Sequence, residues 1–180
     1  MKHIITTIFL FYALAGKSYS QPSSPADTFP VPKGNPYQLF YLQRQPNTNT
    51  IVVELNVKSG RVDPENPVHV FWIRYTEDGR REGLSFIQRT FAYGVQVNKI
   101  AENAYDLNFV SYKKMKFRLE KGDNNLWRVY ANLKNGSRII LRRVYIHING
   151  GSFWKPNVEY VELKGDEPGT YLEQRERLTL

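Results

Sequence analysis

The chain has 180 residues, with 25 Lys+Arg against 17 Asp+Glu, a formal net charge of +8 at pH 7 and no cysteine. The missing thiol excludes disulfides, thiol nucleophiles, cysteine-held zinc or iron–sulfur sites and lipid attachment through a cysteine. The positive excess directs attention to anionic partners, although net charge alone speaks to solubility and non-specific association rather than to a site.

Residues 1–20 read as a cleavable secretory signal. Lys2 and His3 make a short basic start, Ile4 to Leu14 is apolar apart from Thr6 and Thr7, and Ser18 and Ser20 place small residues before Gln21. The apolar run is shorter than the roughly 20 residues a membrane span needs. Nothing after residue 20 is long and apolar enough to span either. Removing Lys2 and Lys17 with the signal leaves a charge of +6. The expected location is the periplasm, or the exterior, where the available anions are acidic glycans, lipid head groups and envelope proteins rather than nucleic acid.

Residues 21–36 hold five of the ten prolines and are expected to form an extended leader. A single β domain is expected over 37–164, followed by a charged, loosely attached tail over 165–180. Strands are predicted at 37–44, 51–57 and 68–75, with turns at Pro46-Asn47-Thr48-Asn49 and Glu77-Asp78-Gly79. Leu84, Ile87 and Phe91 then fall at helical spacing, and Gly94 follows where a C-terminal cap belongs, which predicts one helix over 83–93. Strands resume at 95–100, 105–112, 115–120, 126–133, 138–148 and 158–163, with hairpin turns at Gly122–Asn125 and Asn135-Gly136. In 138–148 the apolar phase slips at Arg142-Arg143, since Ile139 and Leu141 precede the pair while Val144, Ile146 and Ile148 follow it. Such a slip marks a β-bulge or a sharp bend. About nine short strands with one inserted helix predict a mainly antiparallel sandwich or a partly closed barrel.

Three stretches, NPYQLFYLQRQPNTNTIVVELN, PVHVFWIRYTEDGRREGLSFIQRTFAYGV and FWKPNVEYVELKG, together resemble a bacterial domain-of-unknown-function family, number 4833. The most specific part of the resemblance is Trp72 with Ala92-Tyr93-Gly94. It implies a small exported all-β domain and carries over no activity and no catalytic residue.

Chemistry-bearing constellations are sparse. His69 and His147 lack a third ligand at recognisable spacing, and Asp63, Glu65 and Asn66 lack the glycine and bidentate glutamate of a calcium loop, so no metal is assigned. Ser85 and Ser111 stand in no nucleophile elbow, and neither Glu159 with Glu162 nor Glu54 with Asp106 is paired by sequence. No phosphate-cradling loop is present, and no cofactor is implied.

Two groups remain. Lys116 and Arg118, opposite Met115, Phe117 and Leu119, and Arg143, Tyr145 and His147, opposite Val144, Ile146 and Ile148, would form a basic face if their strands meet. Arg44 and Arg74 interrupt apolar strands, and with Trp72, Gln88, Arg89 and Tyr93 they outline a cleft between helix and sheet. A partly buried guanidinium there needs a carboxylate or an anionic ligand. The leading expectation is a non-enzymatic domain that binds an anionic glycan, lipid head group or envelope protein. A small hydrolase or glycan-processing enzyme and a structural envelope component are the alternatives.

Overall fold

The computed structural model describes residues 23–122, 124–152 and 155–179; the export signal read over residues 1–20 lies outside them. Thirteen strands are present among the described residues: β1 Gln38–Arg44, β2 Thr50–Leu55, β3 Val57–Lys58, β4 Arg61–Val62, β5 Val68–Ile73, β6 Arg81–Gly83, β7 Val95–Ala101, β8 Ala104–Phe109, β9 Tyr112–Lys121, β10 Trp127–Asn132, β11 Arg138–Gly151, β12 Pro156–Asp166 and β13 Glu173–Thr179. Each of the nine strands expected from period-two patterning is there. The short β3–β4 ribbon, β6 and β13 are additions.

Nine strands run in one continuous order, β6-β5-β2-β1-β11-β10-β9-β8-β7, curled into a half-barrel. Its inward residues, including Phe40, Leu42, Ile51, Val53, Leu107, Phe117, Leu119, Ile139 and Leu141, form one hydrophobic core. Fully burying each such side chain contributes about 1.5–3 kcal/mol. Pairing is antiparallel apart from β1 with β11, which is parallel.

β11 organises the sheet because both of its edges are used. Ile140 pairs with Tyr130 of β10 and Asp166 of β12, and three residues later Arg143 pairs with Tyr41 of β1 and Lys164 of β12. One edge is therefore shared in succession by β10 and β1, while the other belongs to β12. The handover falls at the expected phase slip: opposite β12, Leu141 is followed in register by Arg143, leaving Arg142 as the extra, exposed residue of a bulge. Gly165 lies beside it, where a Cβ would collide with the Ile140 carbonyl.

Both segments flanking the expected β domain, among the described residues, are more ordered than their composition suggests. Glu173–Thr179 pairs along β12 from Asp166 to Tyr160, so the expected loose tail is an edge strand. In the Pro-rich stretch, Pro25–Thr28 is a 3-10 turn whose Ser24 and Asp27 cap one another, and Ser24 and Ala26 are buried. Asp27 reaches Arg143 and Arg175, and the Pro30 carbonyl accepts from Gln43 Nε2 at 2.8 Å. The leader is thus tied to the back of the sheet.

The helix, α1, covers only Phe86–Phe91, shorter than the expected 83–93. Ser85 and Gln88 form a capping box at its start. Six residues cannot carry Leu84 and Phe91 on one helical face. Leu84 is buried from the segment before the helix, whereas no residue of α1 itself is buried. The helix is capped at Ala92, and Gly94 serves a different need than expected: a Cβ there would overlap the Arg89 carbonyl.

Candidate functional site

A cavity of about 350 Å³ opens between α1 and the inner surface of the half-barrel. One wall is aliphatic, built from Ile146 and Ile148 of β11 and Val158 and Val161 of β12, with Leu42 and Val144 beneath. These face inward because β11 resumes strict alternation after the bulge, which sends Arg143, Tyr145 and His147 to the back. The other wall comes from Ile87, Phe91 and Tyr93, and Ser111, Tyr112 and Met115 complete the lining. Ser111 Oγ donates to the Ala92 carbonyl at 2.6 Å, tying the β8–β9 turn to the end of the helix. Among the described residues no aspartate or glutamate lines the cavity.

One charge enters this apolar space. Arg44, the last residue of β1, is half-buried, and its guanidinium carbon lies 5.3 Å from the centroid of the Tyr93 ring. Its Nε is buried without a hydrogen-bond partner among the described residues, and no described carboxylate pairs with it. Burial pushes the Tyr93 hydroxyl above its ordinary range, against the opposing pull of Arg44. The phenol therefore stays neutral and offers a ring face, not a counter-ion. An unpartnered buried donor costs about 1–3 kcal/mol.

Arg44 also borders a second, more open cavity of about 330 Å³, lined by Gln45, Asn47, Gly150, Gly151 and Ser152. Ile148 and Pro156 line both spaces. An apolar chamber and a more open chamber of mixed lining thus adjoin, with a guanidinium at the junction.

The other residues of the expected cleft have structural partners. Trp72 is buried, meets Tyr93 edge-on at 5.1 Å and donates from Nε1 to Gln88 Oε1 at 3.2 Å. Gln88 Oε1 also accepts from the Ser85 amide and so joins the cap to the core. Arg74 pairs with Glu77 at 2.9 Å and Glu82 at 3.4 Å, and Arg89 donates to the Leu84 carbonyl at 3.3 Å. Of the six residues, Arg44, Gln88 and Tyr93 line the cavity; Trp72, Arg74 and Arg89 hold its frame.

The expected basic face does not form as one open surface. Arg143 and Tyr145 are buried under the N-terminal segment. Arg118 pairs with Asp106 at 2.9 Å, His147 stacks on Tyr160 at 4.7 Å, and Lys116 is exposed elsewhere. His69 and His147 are on strands that do not adjoin, and they face Glu54 and Glu159 separately. Among the described residues, no three metal-ligating side chains of His, Asp or Glu converge.

Sequence reasoning missed the buried network at the back. Arg143 Nη2 donates to Glu162 Oε1 at 3.0 Å and to Asp27 Oδ1 at 3.1 Å, while Arg177 Nε donates to Glu162 Oε2 at 3.0 Å and Arg175 Nη1 to Asp27 Oδ2 at 2.7 Å. The available clue was Ser24-Pro25-Ala26-Asp27, which has the spacing of a capped turn with proline at its first position.

No curated protein and no solved structure matches the chain. Residues 40–177 match the sequence profile of the family described as Domain of unknown function (DUF4833), which spans the half-barrel, both walls of the cavity and Arg44. The chain belongs to the DUF4833 family.

Proposed function

We propose that this exported domain binds an amphipathic anion, with the aliphatic chain in the apolar cavity and the carboxylate or phosphate head on Arg44. The observation that carries the reading is the buried Arg44 Nε, left without a partner at the edge of a chamber lined almost wholly by apolar side chains. A guanidinium in such a place gains most from a planar anion that supplies the missing hydrogen bonds. The volume, about 350 Å³, falls in the range of small-molecule sites. Gln45, Asn47 and Ser152 in the adjoining chamber supply polar groups suited to the rest of a head group. Location in the periplasm or beyond accords with a lipid-derived ligand. The glycan-processing alternative needs a pair of carboxylates, and none lines either cavity among the described residues.

The test is calorimetric titration with dodecanoate, for wild type and Arg44→Met. Wild type is expected to bind, with affinity at least tenfold weaker in the variant. Equal affinities, or no binding to wild type, would overturn the reading.

A further inference from the structure

The short helix is held in an unusual way for an amphipathic element. Phe86, Ile87 and Phe91 are 77%, 51% and 63% exposed, and no residue of α1 is buried. Polar bonds fix it in place: the Ser85–Gln88 box, Trp72 Nε1 on Gln88, and Ser111 Oγ on the Ala92 carbonyl. Its apolar side chains are left exposed to solvent, and Ile87 and Phe91 also line the cavity. Three large apolar groups exposed within six residues mark an interaction surface rather than scattered surface hydrophobes.

Beside this face the charges are positive: α1 carries Arg89, and the start of β9 carries Lys113, Lys114 and Lys116. The last three are exposed and have no carboxylate partner within 4.0 Å among the described residues. They interleave with Tyr112 and Met115, which also line the cavity. Apolar side chains flanked by lysines fit the interface of an anionic bilayer, where the rings enter the acyl boundary and the lysines meet the head groups. A second copy of the same face would set lysine against lysine.

We infer that α1 and the β8–β9 turn form a docking surface for an anionic lipid bilayer, and that the cavity they line admits the acyl chain from it. The admission step rests on the ligand reading above; the docking step does not.

The test is co-sedimentation with phosphatidylcholine vesicles, with and without phosphatidylglycerol, keeping the same N-terminus in every arm. Phe86→Ser and K113E/K114E probe the surface without touching the cavity lining. Wild type is expected to pellet with the anionic vesicles, less so with neutral ones or at high salt. Each variant is expected to lower the bound fraction at least fivefold while keeping wild-type affinity for dodecanoate in vesicle-free solution, which also reports that it is folded. Vesicle binding unchanged in both variants, or equal on neutral vesicles, would overturn the docking surface. So would a wild-type dimer that Phe86→Ser dissociates without loss of vesicle binding. If dodecanoate binds no form of the protein while the vesicle pattern holds, the docking surface stands and the ligand reading falls.

Discussion

Arg44 lies over the Tyr93 ring at 5.3 Å in the cavity lining, and neither supplies the other with a hydrogen bond. The ring offers its negative face to the guanidinium, but Nε stays buried and unpartnered among the described residues. Such a site is costly when empty. Arg44→Met is accordingly expected to raise the stability of the ligand-free protein by about 1–3 kcal/mol, the cost of an unsatisfied buried donor. Chemical denaturation without ligand measures it, and a loss of stability would mean that the arginine is already satisfied.

On the opposite side of the sheet Arg143 also has a buried Nε without a partner among the described residues, but its Nη2 donates to two carboxylates. Arg143 and Glu162 are only 3% and 2% exposed, so removing Glu162 leaves the buried Arg143 with Asp27 alone and Arg177 with no carboxylate among the described residues. Glu162→Ala is expected to cost about 3–5 kcal/mol, whereas the double change Arg143→Met/Glu162→Leu should recover most of that loss. A double-mutant cycle by urea unfolding checks both values.

Asp27 gives the N-terminal segment a dependence on acid. Burial alone would raise its carboxyl, but hydrogen bonds from Arg175, the Ser24 amide and Arg143 outweigh this and hold it well below its ordinary value of 3.8. The native carboxyl thus titrates below the unfolded one, so its stabilisation is complete above that value and is lost progressively as pH falls below it. Asp27→Asn is expected to be less stable than wild type at pH 7, with the difference shrinking toward pH 3. A gap of constant size across that range would contradict the assignment.

Gly94 is fixed by the Arg89 carbonyl, which occupies the space a Cβ would take. Gly94→Ala should therefore force the end of α1 away from β7. The expected cost is about 1–3 kcal/mol, seen as a lower midpoint of thermal unfolding. Gly34→Ala, where a Cβ meets nothing within 4 Å, serves as the neutral control.

What the sequence made legible follows from the periodicity of apolar residues. The nine main strands and the bulge at Arg142 could be read because burial on one face leaves a period-two record, and a slip in that record is local. β13 left no such record: Glu173–Thr179 mixes acids and arginines with one apolar residue, Leu178, and its side-chain ties include the ion pairs of Arg175 and Arg177 with Asp27 and Glu162. Those partners are distant in sequence, as is the 116-residue separation of Asp27 from Arg143. The cleft was legible in part, because an arginine ending an apolar strand is visible locally. That Arg74 pairs with Glu77 is a local contact three residues along the chain, whereas Arg44 finding no carboxylate among the described residues depends on the sheet's curl, which also makes Ile148 and Val158 a wall.

The central claim is that Arg44 reads the charge of a chain-bearing ligand, and a cycle crossing ligand with protein isolates that term. The affinities of dodecanoate and dodecanol are measured for wild type and Arg44→Met. The account predicts that wild type prefers the carboxylate over the alcohol at least tenfold more strongly than the variant does, a coupling of about 1.4 kcal/mol or more. The same carboxylate-to-alcohol ratio in both proteins would contradict it.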